Sequence, residues 1–149
     1  MRILIFIILL SCCFKLSYAQ SDKVIGVWMS EEKDGKVEIT KRNNKYYGKI
    51  IWIAQKNYIN GEPKKDLNNP DPALRKRSNL GLEILKDFIY DSDDKEWTDG
   101  TVYDPKNGST YSCYMWFEGN NENVLNIRGY IGFSLLGRTT LWTKTTKSE

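Results

Sequence analysis

Histidine does not occur in the 149-residue sequence, and cysteine and proline are scarce, at three and four residues. The lack of histidine excludes zinc sites with histidine ligands and catalytic triads that use a histidine base. Any catalysis would therefore depend on carboxylates, lysines, tyrosines or a thiol.

Long apolar runs are also lacking, except for Ile3–Leu10 near the amino terminus. This run follows Arg2 and is too short to span a bilayer. Ser17-Tyr18-Ala19 then places small residues at the −3 and −1 positions of a signal peptidase site. We predict a signal peptide over residues 1–19, a single mature domain over residues 20–149, and export to the periplasm or the medium.

Two features bear on that leader. Leu10-Ser11-Cys12-Cys13 loosely resembles a lipobox, so a lipid-anchored protein is the alternative to soluble export. With cleavage at the predicted site, Cys12 and Cys13 leave with the leader, so Cys113 is the one cysteine that remains and it cannot form an internal disulfide. Its neighbours Met115 and Phe117 favour a buried, small apolar role over a reactive thiol.

The charge balance also argues against a nucleic-acid partner. The formal net charge is +3, and cleavage would remove Arg2 and Lys15, leaving +1. A nearly neutral chain creates no overall field that attracts nucleic acid, so we expect no nucleic-acid partner. We expect membrane association only if the chain is lipid-anchored, although the basic clusters Lys64-Lys65 and Arg75-Lys76-Arg77 would allow weak contact with anionic lipid or glycan.

Apolar residues alternate with polar ones from Val24 to Lys144, and turn signals such as Asp34-Gly35 recur at short intervals. About eight strands result, of which the seventh is predicted to run from Val124 to Phe133. No helical pattern is long enough for a βαβ crossover. We predict an all-β, monomeric fold: an antiparallel up-and-down barrel of about eight strands, with a two-sheet sandwich as the alternative.

A long segment without this strand-and-turn pattern, residues 57–79, follows the third strand. It contains three of the four prolines and is too long for a hairpin turn. Asp71 at a helix cap and Pro72 at the first helical position predict a short helical turn in this loop, over one mouth of the barrel.

Gly26-Val27-Trp28 near the start and Arg138 near the end resemble a feature of lipocalin-like barrels. There a Gly-x-Trp on the first strand packs under an arginine from the last strand, which is a cation–π contact. The resemblance implies that Gly26, Trp28 and Arg138 close one end of the barrel, with Trp28 buried against Arg138. A binding site would then lie at the opposite mouth or beneath the long loop.

A longer set of motifs covers nearly the whole mature chain and resembles the domain-of-unknown-function family 2147, small exported bacterial proteins with a lipocalin-like barrel. Ser78 departs from the pattern, because proline is expected there. The family implies a fold and an exported location, and it implies no established activity. The motifs, in order, are Tyr47-Gly48-Lys49-Ile50, Asp66-x-x-Asn69-Pro70-Asp71-Pro72-Ala73-Leu74-Arg75-x-Arg77, Gly81-Leu82, Trp97-x-x-Gly100, Tyr103-Asp104-Pro105-x-Asn107-Gly108-x-x-Tyr111, Arg128-Gly129-Tyr130-x-Gly132 and Gly137-Arg138-Thr139-x-x-Trp142.

The long loop concentrates charge in one short segment, with Asp66, Asn69, Arg75 and Arg77 close together. A guanidinium pair suits a carboxylate or phosphate, so the loop is a candidate lid over an anionic group. The alternative is that Arg75 and Arg77 pair with Asp66 or Asp104 and brace the loop on the barrel.

Aromatic residues form a second candidate site. Trp52 shares strand parity with Tyr46, and Tyr114 shares it with Trp116, so either pair would line the interior if its face points inward. An aromatic wall suits an apolar or amphipathic ligand, whereas the alternative is a filled core. Arg128 would bind a ligand carboxylate if it points inward, and is an ordinary surface residue if it points outward.

Binding is therefore the predicted activity, with no catalytic residue, metal site or cofactor. We predict that the protein binds a small apolar or amphipathic ligand inside the barrel. One alternative is a solid-core envelope module that binds a protein or glycan through its surface. Another is a carboxylate-dependent hydrolase, although no spacing among Asp99, Asp104 and Glu118 singles out a catalytic pair.

Overall fold

The computed structural model describes residues 20–148, so the predicted signal peptide and lipobox lie outside the described residues. Eight antiparallel strands pair in chain order, and the last strand pairs with the first to close a barrel. This confirms the predicted lipocalin-like barrel. The strands are β1 Gly26–Met29, β2 Gly35–Arg42, β3 Lys45–Ile53, β4 Glu83–Asp91, β5 Glu96–Asp104, β6 Ser109–Phe117, β7 Val124–Tyr130 and β8 Arg138–Thr145.

Three short 3₁₀ turns accompany the strands, at Asp22–Val24, Pro72–Leu74 and Ser134–Leu136. The second confirms the predicted helical turn after the third strand, and the Asp71 carboxylate caps it by accepting a hydrogen bond from the Ala73 amide at 2.9 Å. None of the helical segments in residues 20–148 has the length and apolar character needed to cross a bilayer.

Because neighbouring strands run in opposite directions, the connections alternate between the two ends of the barrel. The loop end carries the β1–β2, β3–β4, β5–β6 and β7–β8 connections, and the closed end carries the turn Asp22–Val24. At the loop end, Lys106 Nζ lies 2.6 Å from Glu32 and 2.8 Å from Asp34. Hydrogen bonds to Asp34 and Glu32 raise the pKa of Lys106. These contacts tie the β5–β6 turn to the β1–β2 loop.

The β5–β6 turn also supports the long β3–β4 loop. Asn68 Nδ2 donates to the Lys106 carbonyl at 2.8 Å. Gly108 has a φ of +75°, and a Cβ on it would lie 1.8 Å from the Asn68 carbonyl oxygen. Only glycine allows this approach of two backbones, which sets the long loop against the barrel.

The barrel interior is filled by side chains. Two glycines make the packing possible: a Cβ on Gly48 would lie 2.7 Å from Leu85, and one on Gly100 would lie 2.4 Å from the Phe88 ring. The buried core comprises Val24, Trp28, Val37, Ile39, Tyr46, Ile50, Leu82, Ile84, Leu85, Phe88, Trp97, Tyr103, Cys113, Met115, Leu125, Ile127 and Trp142.

Candidate functional site

Trp28 lies at the closed end, fully buried, and its indole Nε1 donates to the Val24 carbonyl at 2.9 Å. The cation over its ring is Lys144, whose Nζ lies 5.6 Å from the ring centroid. A Cβ on Gly26 would lie 3.8 Å from Lys144 Cε, so Gly26 faces the same lysine stem.

The predicted pairing of Arg138 with Trp28 is wrong. The strand register places Trp28 opposite Lys144, whereas Arg138 begins β8 and lies opposite Gly129 near the loop end. Six residues of extended strand separate the two cations, or about 20 Å. The short strand β1 pairs only with the last part of β8. The cation that packs over Trp28 therefore comes from the end of β8, where Lys144 lies.

Tyr114 and Trp116, predicted to line a ligand cavity, lie on the outer face of β6. They alternate with Cys113 and Met115, which are 1% and 0% exposed and belong to the core. Side chains alternate across a strand, so Tyr114 and Trp116 point away from the interior. Their rings stack on each other with centroids 5.3 Å apart.

Trp52 also lies outside the core, because of a β-bulge. Val37 pairs with Ile50, but its neighbour Lys36 pairs with Trp52, so β3 carries one extra residue at this point. The extra residue reverses the parity of β3, and Trp52 comes to lie beside Lys36, with Lys36 Nζ 5.5 Å from its ring centroid. The predicted inner aromatic wall is therefore not formed by Trp52, Tyr114 and Trp116.

Charged and polar residues of the long loop, some of them exposed, form a hydrogen-bonded cluster around the buried Asp66. Its carboxylate is fully buried and accepts hydrogen bonds from Tyr103 Oη, from Asn69 Nδ2 at 2.8 Å and from Arg77 Nε at 2.9 Å. Arg77 Nη2 lies 2.8 Å from the same carboxylate. Arg75 Nε donates to the Asn69 carbonyl at 2.7 Å.

These contacts favour the prediction that the arginines brace the loop on the barrel over the prediction that the loop is a lid over an anionic group. Burial raises the pKa of Asp66, but hydrogen bonds from Tyr103, Asn69 and Arg77 outweigh burial and lower the pKa below its ordinary value. Burial and Asp66 raise the pKa of Tyr103. Arg77 is paired with a carboxylate, so the two arginines do not form the predicted anion-binding pair.

Arg128 lies on the outer face of the barrel, since it pairs with Tyr114 across β6 and β7. Its guanidinium is held by three hydrogen bonds. Nε donates to the Ser134 carbonyl at 2.7 Å, Nη1 to Thr139 Oγ1 at 2.9 Å and Nη2 to the Leu135 carbonyl at 3.3 Å. Arg128 therefore fixes the shape of the β7–β8 loop.

The β7–β8 loop presents the feature that the sequence prediction missed. The apolar tip consists of Ile131, Phe133, Leu135 and Leu136, which are 70%, 76%, 89% and 80% exposed. The predicted seventh strand ran to Phe133, but β7 ends at Tyr130. Gly132 within the tip and Gly137 directly after it were the available signal that this apolar segment forms a turn.

Two depressions are open on the surface, with volumes of about 260 and 220 Å³. The first lies at the closed end beside Lys41, Asn44 and Tyr90. The second lies under the long loop, beside Ile84 and Tyr103. Both are smaller than the roughly 300–1,000 Å³ of a typical small-molecule site.

The carboxylates considered for hydrolysis have local structural contacts. Asp104 accepts from the Lys106 amide at 2.9 Å in the β5–β6 turn, and Glu118 accepts from Trp116 Nε1 at 3.2 Å. Asp99 has a φ of +58° where the β5–β6 register shifts. Within residues 20–148, no cluster of three or more carboxylate or thiol side chains is placed to hold a metal ion.

Comparison with curated proteins found no match. Among solved structures, the chain is similar to protein HP1028 from the human pathogen Helicobacter pylori, which is described as belonging to the lipocalin family. The two share 26% sequence identity over 83% of each chain, with a TM-score of 0.67. The family model described as "Uncharacterized protein conserved in bacteria (DUF2147)" matches residues 26–144. The chain therefore belongs to domain-of-unknown-function family 2147, with a lipocalin-like fold.

Proposed function

We propose that this protein is an exported interaction module with a solid core, which binds its partner through the apolar tip of the β7–β8 loop. The observation that carries the proposal is the exposure of the tip, where four large apolar side chains are 70–89% accessible to solvent. Contiguous apolar surface of this kind on a soluble domain marks a site of interaction.

The filled interior supports binding at the surface over binding inside the barrel. A barrel of eight strands either fills its interior with side chains or holds one small ligand. Here Phe88 and Trp97 are completely buried in the core, and Trp28 is completely buried at the closed end. An apolar ligand would have to displace these rings, whereas the tip is already accessible.

The tip is large enough to supply useful binding energy. Burial of one large apolar side chain contributes about 1.5–3 kcal/mol, so four give roughly 6–12 kcal/mol before the costs of association. Arg128 reduces one of those costs, because its bonds to the Ser134 and Leu135 carbonyls order the loop before binding.

Co-sedimentation with bacterial envelope fragments, which contain both lipid and protein, tests the proposal. We expect the double variant Phe133→Ser/Leu135→Ser to bind at least about tenfold more weakly, since two of the four apolar contacts are lost. Both side chains are exposed, so the melting temperature should stay near that of the unchanged protein.

The matched control is Ile59→Ser. Ile59 is fully exposed but lies in the β3–β4 loop, on the opposite side of the barrel mouth from the β7–β8 loop, so this variant should bind envelope fragments normally. Equal sedimentation of the tip variant and the control would contradict the proposed function.

A further inference from the structure

Part of the backbone of the apolar tip is hydrogen-bonded within the hairpin. The Leu136 amide donates to the Phe133 carbonyl at 3.1 Å, and the Gly137 amide donates to the Ser134 carbonyl at 3.1 Å. Arg128 adds donors to Ser134 and Leu135. Unpaired backbone groups are costly in hydrocarbon, so these bonds lower the cost of placing the bonded amides and carbonyls in an apolar medium.

The charge beside the tip complements an anionic surface. Residues 131–141, which form the tip and the strand beyond it, include Arg138 but no aspartate or glutamate, although the chain has 19 acidic residues. Arg138 is exposed and follows the tip directly. From a neighbouring element, the Glu31 carboxylate accepts from the Leu141 amide at 3.4 Å. A cation beside an apolar tip suits the headgroups of anionic lipids.

Aromatic side chains lie just behind the tip on the outer face. Tyr130 ends β7 and contacts Tyr114 with ring centroids 6.2 Å apart, and Tyr114 stacks on Trp116. At about 3.3 Å per residue, Tyr130 and Tyr114 lie within roughly 10 Å of the tip along the strands. Tyrosine and tryptophan are enriched at this depth, where a bilayer meets water.

The area of the tip argues against a protein partner that binds the tip alone. Four large apolar side chains offer roughly 250–500 Å² of apolar area. A stable protein interface needs about 800 Å² from each partner. A bilayer requires no complementary surface, so a small protruding tip is sufficient.

We infer that the apolar tip inserts into the surface of a lipid bilayer that contains anionic lipids, with Arg138 at the level of the headgroups. This inference rests on the proposed function, because it names the partner of the same surface. It does not require a lipid anchor on the chain.

An environment-sensitive fluorophore on the tip tests the inference. The mature variant Leu135→Cys is labelled with a nitrobenzoxadiazole maleimide. Cys113 is 1% exposed and burial raises the pKa of its thiol to about 12, so the label should react with the introduced cysteine. Vesicles of phosphatidylcholine and phosphatidylglycerol in equal parts should shift the emission to the blue and raise its intensity about threefold. The matched control, labelled Ile59→Cys, should not change.

Charge reversal tests the position of Arg138. We expect Arg138→Glu to lower the vesicle partition coefficient roughly tenfold, with no such loss for the exposed control Lys56→Glu. The loss should be smaller with vesicles of phosphatidylcholine alone.

The outcomes separate the inference from the proposed function. If vesicles leave the tip label unchanged while Phe133→Ser/Leu135→Ser still loses envelope binding, the lipid inference is overturned and a protein or glycan partner is identified. A blue shift that needs no vesicles and grows with protein concentration would identify a second copy of the chain, and would also overturn it. If the tip variant binds envelope fragments normally, the proposed function fails as well.

Discussion

Asp66 is a fully buried carboxylate that holds a long loop onto a barrel. Burial by itself disfavours the charged form, but the bonds from Tyr103, Asn69 and Arg77 compensate, so the pKa of Asp66 lies below its ordinary value of 3.8. Because the folded-state pKa is lowered, the unfolded chain binds the proton first as pH falls. Ionised Asp66 contributes its full stabilisation of the folded state at pH values above its pKa in the unfolded chain. This contribution is lost as the pH falls through its pKa in the folded state.

We expect Asp66→Asn to reduce the free energy of unfolding by about 2–4 kcal/mol at neutral pH, because Arg77 loses its buried partner. The difference from the unchanged protein should shrink once the pH falls below about 3.8 and Asp66 itself becomes protonated. Urea denaturation at a series of pH values measures both effects.

Asp71→Asn is the matched control in the same loop. Asp71 is exposed and caps the turn Pro72–Leu74, and asparagine caps equally well, so little stability should be lost. A difference between the Asp66→Asn variant and the unchanged protein that stays constant down to strongly acidic pH would contradict the ion-pair account.

The β7–β8 hairpin contributes side chains to the core and also carries the exposed apolar tip. Its strands place Leu125 and Ile127 in the core, while Arg128 on the outer face orders the loop that carries the apolar tip. The sequence prediction left the direction of Arg128 open. The structure assigns Arg128 to the outer face, as a positioning residue for an apolar surface.

We expect Arg128→Lys to loosen the loop, because lysine lacks the planar fork that reaches two carbonyls and Thr139. Exchange of the Leu136 and Gly137 amide hydrogens should accelerate roughly tenfold. Hydrogen exchange followed by NMR measures this change. Amide hydrogens between the paired strands β6 and β7, such as that of Met115, should stay protected from exchange. A loss of protection at these amides as well would indicate that the barrel unfolds, and would contradict a local effect on the loop.

The whole molecule is a closed barrel whose interior holds aromatic rings in contact. Trp97 lies against Phe117 with centroids 5.4 Å apart, and the Phe88 ring occupies the space that Gly100 leaves. The predicted interior ligand requires a hollow barrel, whereas the described core is packed by its own side chains. A cavity would have to be created by truncating one of these rings.

We expect Phe88→Ala to create such a cavity and to cost about 3–5 kcal/mol of stability. Benzene should then raise the melting temperature of this variant, as an apolar cavity binds it, and should leave the unchanged protein unaffected. Differential scanning calorimetry with and without benzene measures the effect. Tyr114→Ala, on the outer face, is the control that removes a ring without opening the interior. An equal benzene effect on the unchanged protein would show that the interior is hollow.

The sequence by itself determined the barrel and several of its local features. The alternation of apolar residues, the turn signals and the Asp71-Pro72 cap each depend on residues within a few positions of one another, so they can be read along the chain. The ordered motifs likewise indicate the family through residue types and spacing alone, and the family model confirms that prediction.

Only the tertiary structure decided which residues meet and which way some of them point. The register where β8 closes on β1 gives Trp28 the cation Lys144 instead of Arg138, and this register joins distant parts of the chain. One extra residue in β3 reverses the face of Trp52, because side-chain direction has a period of two. The apolar tip is exposed because β7 ends at Tyr130 and Arg128 holds the turn beyond it, and no local pattern specifies that long-range packing.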